Sequence, residues 1–142
     1  NKLPRLLAFA ALFGGLFLGA VLAEIVVITN KATPAASLTA KQARSIFLKK
    51  DTTFPGGSTV TPGDQATGTT IADNFAKKVL KKKPNQLSAY WSKRVFSGKG
   101  VPPDRIGDDN DMMEWVAKTR GSIGYVDAHA VNQSVKVLLK IE

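Results

Sequence analysis

The sequence predicts an α/β fold, in which a mixed, mostly parallel sheet is covered by helices. Apolar, largely β-branched runs of strand length recur along the chain, and segments with apolar residues at helical spacing separate them. Runs without polar alternation are typical of strands that are buried on both faces by covering helices. The order of strands and helices therefore indicates a layered α/β domain.

Composition narrows the functions that the chain can have. It has 142 residues, with 20 Lys and Arg, 11 Asp and Glu, one His and no Cys, and a formal net charge of +9. The length favours one domain. The lack of Cys excludes a disulfide scaffold, a thiolate metal site and a cysteine nucleophile. The positive charge favours an anionic partner, such as a small oxyanion, an acidic surface or a nucleic acid.

Residues 1–23 are predicted to be a secretory signal peptide, and residues 24–142 the folded domain. A short basic head precedes an uncharged run from Leu6 to Ala23, and the small residues at its end offer a cleavage site. The alternative is a retained membrane anchor, because this run is just long enough to span a bilayer. In both cases the domain is exported, so we expect it in the periplasm and disfavour nucleic acid as its partner.

Four segments are predicted to be strands. The unbroken apolar runs at 25–29 and 122–126 are expected to be central strands buried on both faces. A short candidate lies at 59–61, and the more mixed pattern at 135–141 suits an edge strand. Helices are expected from 37 or 39 to about 48, from 70 to 82, from 84 or 85 to about 98, and from 108–110 to 118, whereas residues 98–107 are predicted to be a loop.

The strongest candidate site is the turn formed by Thr67, Gly68, Thr69 and Thr70. It follows a strand candidate and opens an amphipathic helix, whose first N–H groups are unpaired and attract anions. Gly68 lets the backbone approach a ligand closely, and the hydroxyl groups can donate to oxyanion oxygens. The alternative is that Thr69 or Thr70 merely caps the helix, which needs no ligand.

Other polar groups are weaker candidates. The basic cluster is either a solvated helix face or a surface that docks on anions; it comprises Lys77, Lys78, Lys81, Lys82 and Lys83. The acidic run at 108–111 lacks the Gly and Glu of a calcium loop, so helix capping explains it better and no metal is predicted. His129 stands apart from any nucleophile, so the sequence predicts no catalytic residues, no cofactor and no enzymatic activity.

Four stretches of the chain occur together in a distinctive order. They are Ile25-Val26-Val27-Ile28-Thr29-Asn30-Lys31 with Pro34, Leu38-Thr39 to Ile46-Phe47-Leu48, Thr67-Gly68-Thr69 with Phe75, and Gly121-Ser122-Ile123-Gly124-Tyr125-Val126. In this order they resemble the phosphate-type substrate-binding proteins of ABC transporters. The resemblance implies a periplasmic-binding-protein-like fold and covers only the second of the family's two lobes.

The resemblance also implies a function. It carries the family's phosphate loop over to Thr67, Gly68 and Thr69, while the Arg of that loop falls on Gly63, beside an acidic Asp64. We therefore expect an exported single lobe that binds phosphate or a similar oxyanion weakly, with a second copy or an envelope protein supplying the missing lobe. The alternative is a structural or protein-interaction module of the envelope that has lost its ligand. Contact with a membrane is expected only through an uncleaved leader.

Overall fold

Five strands, four α-helices and a short 3-10 helix, Ala128–Ala130, are found in the part of the chain described by this computed structural model, residues 24–142. The predicted leader, residues 1–23, lies outside the described residues. In chain order the elements are β1 (Ile25–Asn30), α1 (Ala40–Phe47), β2 (Thr61–Gln65), α2 (Thr70–Phe75), α3 (Pro84–Phe96), β3 (Asp104–Gly107), α4 (Asp109–Lys118), β4 (Ser122–Asp127) and β5 (Val135–Ile141). A π-helical turn, Ala76–Leu80, continues α2.

The strands form one mixed sheet in the order β3-β2-β4-β1-β5. β2 pairs in parallel with β3 and β4, whereas β1 pairs antiparallel with β4 and β5. The predicted α/β class is confirmed, but the pairing is evenly divided rather than mostly parallel. The difference arises because β1 lies between β4 and β5, and both of these strands are antiparallel to it. An unbroken apolar run indicates burial on both faces and leaves the direction of the neighbouring strands open.

The central strands β1 and β4 are buried on both faces, as predicted. Ile25 and Val27 of β1 point into a core that α1, the π-helical turn and α3 cover. Val26 and Ile28 point to the other face, into a smaller core closed by α4. The two-residue period of the strand thus divides one apolar run between two cores. β5 lies at an edge, as its mixed pattern predicted.

Three element predictions need correction. β2 occupies 61–65 rather than 59–61, and residues 104–107, predicted to be loop, form the edge strand β3. The helix predicted for 70–82 changes to π-helical pairing at Ala76 and stops before Lys81, which has a left-handed φ of 59°. Arg44 of α1 donates from Nε to the Val79 carbonyl oxygen at 2.7 Å. This bond pairs a carbonyl in the irregular last turn and ties the two helices together.

Within residues 24–142, no helix combines the length and the apolar character that crossing a bilayer requires.

Candidate functional site

The turn between β2 and α2 carries the four predicted site residues. Gly68 has a φ of +82°, in the left-handed region that glycine tolerates best. The Thr69 hydroxyl accepts from the Ala72 N–H at 3.3 Å and donates to the Ala66 carbonyl oxygen at 3.0 Å. Thr69 is therefore the N-cap of α2, and its hydroxyl is already used in the cap. Thr70 is exposed as the first residue of the helix.

Thr67 and Gly68 border an open cleft of about 660 Å³, whereas Thr69 and Thr70 do not. The cleft lies between this turn, α3 and the segment that leads into β3. The structure thus brings two of the four predicted residues to one cavity and assigns a third to helix capping. Most of the cleft wall is apolar, with Phe75, Leu80 and Leu87 among its residues.

A guanidinium group that sequence reasoning missed stands at the polar end of this cleft. Arg105 comes from β3, where parallel pairing sets it opposite Asp64 of β2. One of its terminal nitrogens donates to the Gln65 carbonyl oxygen at 2.7 Å and lies 3.2 Å from an Asp64 carboxylate oxygen. The Arg105 side chain is 43% exposed, so its other N–H groups remain accessible from the cleft.

Position 63, where the resemblance expected an arginine, has no room for a side chain. A Cβ atom at Gly63 would lie 2.6 Å from the ring of Trp115 and 2.8 Å from the side chain of Ile106. Only glycine fits there without displacing the indole. The positive charge at this cleft therefore comes from the neighbouring strand rather than from β2 itself.

Asp64 holds the arginine in place. Its Oδ1 accepts from the Tyr125 hydroxyl and from the Gln65 N–H, at 2.9 Å in the second case, while Oδ2 faces Arg105. An isolated carboxylate beside the cleft would repel an anion. In the structure three donors converge on it, so much of its charge is compensated and it serves to position Arg105.

Tyr125 connects this polar group to the core. Its ring is fully buried and stacks on Phe75, with ring centroids 3.8 Å apart, while Phe47 meets both rings edge-on. Burial, and then the neighbouring Asp64 carboxylate, raise the pKa of the Tyr125 hydroxyl far above its usual value. The hydroxyl stays protonated and donates to Asp64 throughout the physiological pH range.

The remaining candidates from the sequence lie elsewhere. Most of the lysines at 77–83 are exposed, but the Lys82 ammonium stands over the Tyr90 ring, 5.0 Å from its centroid. Asp108 and Asp111 form a capping box at the start of α4. His129 Nδ1 lies 2.9 Å from Asp127, and hydrogen bonds from His129 lower the pKa of that carboxyl. In the described part of the chain, no three His, Cys, Asp or Glu residues are grouped as metal ligands would be.

The chain has the fold of one part of the phosphate ABC transporter substrate-binding proteins. This finding confirms the resemblance noted in the sequence. No family model and no curated protein sequence matches the chain. Solved structures do match, and their names describe transport-binding proteins rather than enzymes.

Three of these structures define the likeness, and each covers 82% of this chain. A Clostridium perfringens protein described as a phosphate ABC transporter substrate-binding protein, solved with bound phosphate, has a TM-score of 0.67 and 22% identity. An ABC-type phosphate transport receptor from Vibrio cholerae has a TM-score of 0.67 and 15% identity. PstS from Borrelia burgdorferi has a TM-score of 0.61 and 12% identity. The match spans only 44%, 45% and 46% of these chains, respectively, as expected for a single lobe.

Proposed function

We propose that this chain is a non-enzymatic binding module for phosphate or a similar small oxyanion, held in the cleft that Thr67, Gly68 and Arg105 line. The observation that carries the proposal is that one cleft is lined both by an exposed turn at the start of a helix, where N–H groups lack helical partners, and by a partly exposed guanidinium. The likeness to a protein solved with bound phosphate supports the same class of ligand. It also weighs against the alternative of a purely structural module.

The affinity expected from these groups alone is low. Hydrogen bonds from a charged donor contribute about 1.5–3 kcal/mol. The positive end of a helix contributes up to about 2 kcal/mol. Together they reach the roughly 4 kcal/mol of a millimolar Kd and fall short of the roughly 8 kcal/mol of a micromolar one. A surface that closes over the cleft, from a second copy or from an envelope partner, is needed for tighter binding.

An arginine substitution tests this proposal. The chain is titrated with inorganic phosphate while the amide signals of residues 66–70 are followed by NMR. Arg105→Gln is expected to weaken binding about 10- to 100-fold, because it removes the charge-assisted donor. Arg120→Gln is the control, since it removes the same charge from an exposed position outside the cleft. Equal effects of the two substitutions would mean that net charge, rather than this site, attracts the anion.

Gly68→Val tests the turn itself. The valine side chain blocks the approach of an anion to the backbone, so binding should disappear. Because Gly68 has a left-handed φ, the substitution also costs about 1–2 kcal/mol of stability, and folding is checked by circular dichroism. Phosphate binding that survives in the folded variant places the site elsewhere. Sub-micromolar binding by a proven monomer would contradict the single-lobe argument.

We further propose that the domain acts outside the cytoplasm, in the periplasm, after removal of residues 1–23. The basic head, the apolar run and the cleavage site support this proposal. The mass of the intact protein recovered from the periplasmic fraction tests it. Recovery from membranes with residues 1–23 still attached would show an anchor instead.

A further inference from the structure

The positive charge of the described chain is concentrated in one stretch, residues 74–103. This stretch holds eight Lys and Arg and no Asp or Glu, whereas the rest of residues 24–142 holds ten basic and eleven acidic residues. It includes the π-helical turn, α3 and the loop that follows α3. The excess charge of the described residues therefore belongs to one part of the fold.

The same part of the fold exposes apolar side chains. Phe96, the last residue of α3, is 95% exposed, and Val101 in the following loop is 59% exposed. Gly98 and Gly100 separate them, and a Cβ atom at either glycine would meet no heavy atom within 4 Å. With Val95, which is 50% exposed, Phe96 and Val101 place three exposed large apolar residues within one short segment, and clusters of exposed apolar residues mark interaction surfaces.

Basic residues neighbour these apolar residues in the chain. Arg94 donates to the Lys49 carbonyl oxygen at 3.2 Å and to the Lys99 carbonyl oxygen at 3.4 Å, which fixes the loop against the end of α3. Arg94 and Lys82 both stand over the Tyr90 ring, at 5.5 and 5.0 Å from its centroid. We call residues 93–101 the α3 tip; its exposed lysines, Lys93 and Lys99, flank Phe96 in sequence.

We propose that the α3 tip docks on an anionic phospholipid surface. Phe96 and Val101 enter the boundary between headgroups and acyl chains, while the exposed Lys93 and Lys99 face the lipid phosphates. A basic surface with projecting apolar residues is the combination that binds such interfaces. This contact does not need the leader, but its surface adjoins the proposed phosphate site, because Val95 and Phe96 of the tip also line that cleft.

The chemistry of the stretch favours lipid over an acidic protein partner. Seven of its eight basic residues are Lys and one is Arg. Lysine is depleted at protein–protein interfaces and arginine is enriched there. A flexible ammonium needs no fixed partner geometry, which suits attraction to mobile headgroups. Phe96 lines the apolar cleft yet is 95% exposed, and Val101 lies outside the cleft, so both side chains remain open to a surface.

A fluorescence experiment measures the polarity around the α3 tip directly. Because the chain has no Cys, Ser97→Cys places a single polarity-sensitive fluorophore at the tip, and Gln133→Cys places one in the loop before β5. The labelled full chain is titrated with phosphatidylglycerol-containing vesicles and with neutral phosphatidylcholine vesicles. We expect a blue-shifted emission at position 97 with anionic vesicles only, its loss at high salt, and no shift at position 133.

Charge and apolar variants identify the groups responsible. Lys93→Gln with Lys99→Gln should weaken the response at position 97 about 25-fold, at roughly fivefold per lysine. The control is Lys31→Gln with Lys140→Gln, which removes the same charge from exposed positions outside the stretch and should change little. Phe96→Ser should remove the blue shift, with folding verified by circular dichroism.

Three results would overturn the proposal. One is an unshifted probe at position 97 with anionic vesicles, which would leave an acidic protein as the partner of this surface. Another is an equal response to neutral vesicles or an equal effect of the control substitutions. The third is self-association in sedimentation equilibrium that Phe96→Ser abolishes without any vesicle response, which would assign the surface to a second copy of the chain.

Discussion

The hydrogen bond from Tyr125 to Asp64 is the contact through which the core supports the polar end of the cleft. Tyr125→Phe removes the hydroxyl and keeps the ring, so the stack on Phe75 persists while the carboxylate loses one of its donors. The variant therefore tests a single polar contact without creating a large cavity.

The expected loss follows from the partners that remain. A hydrogen bond to a charged group contributes about 1.5–3 kcal/mol. Asp64 keeps the Gln65 N–H and Arg105, and its side chain is 15% exposed, so water can partly replace the lost donor. We expect the free energy of unfolding to fall by about 1.5–2 kcal/mol, at the low end of that range.

A double-mutant cycle with Asp64→Asn separates this bond from other effects. Urea unfolding of the parent chain, the two single variants and the double variant should give a coupling of about 1 kcal/mol or more. Tyr90→Phe is the matched control, because its hydroxyl donates to the neutral Leu48 carbonyl oxygen at 2.8 Å. Its coupling to Asp64→Asn should be close to zero. A Tyr125 coupling below about 0.3 kcal/mol, within the error of additivity, would refute the role of this bond.

Alkaline pH provides a second test of the same residue. In the unfolded chain a tyrosine ionises near pH 10, whereas the folded-state pKa of Tyr125 is raised well above that value. Above pH 10 the unfolded state therefore binds fewer protons than the folded state, and stability falls as pH rises. Tyr125→Phe has no hydroxyl to ionise at this position, so it lacks this loss of stability. The stability advantage of the parent over this variant should therefore shrink between pH 9 and 11. A constant difference would contradict the pKa argument.

Three further substitutions test the fold. Val27→Asp places a charge at a fully buried position of β1 and should cost several kcal/mol in urea unfolding, so a loss under about 1 kcal/mol would be inconsistent with a central strand. Asp108→Ala removes the cap of α4 and its bond to the Asp111 N–H, and thermal unfolding should show a loss of about 1 kcal/mol. Gly63→Ala forces a methyl group against the Trp115 ring and should cost about 1–3 kcal/mol with a shift in tryptophan emission; unchanged stability and emission would show that the ring yields freely.

The central strands were predictable from sequence because burial on both faces leaves a direct local signal. Each residue of β1 is apolar or a small polar residue, whichever core it faces. The turn at Thr67 and Gly68 was predictable for a similar reason, since the turn chemistry of Gly and Thr is local, whereas anion binding there stays a proposal. Thr69 as the cap was one of the stated alternatives, and geometry decided in its favour.

β3 and Arg105 were not predictable, because their structure depends on pairing with a distant segment. Asp104-Arg105-Ile106-Gly107 follows two prolines and has no apolar run, so its pattern is that of a loop. It becomes a strand only through its parallel register with β2, which lies about 40 residues earlier. The fact that Gly63 cannot carry a side chain also depends on Trp115, on a helix that follows in sequence. The pattern of a short sequence segment contains neither the pairing of β3 with β2 nor the contact between Gly63 and Trp115.

The position of Arg105 on a four-residue edge strand has a consequence for dynamics. β3 is hydrogen-bonded on one side only, to β2, and the register between them shifts between Asp64 and Gln65. Such a strand can detach by local opening, at a free energy well below that of global unfolding. Amide hydrogens of β3 should thus exchange with deuterium sooner than those of β1 and β4. An anion that binds Arg105 in its paired position would slow that exchange, so part of its binding energy goes into keeping the edge of the sheet closed.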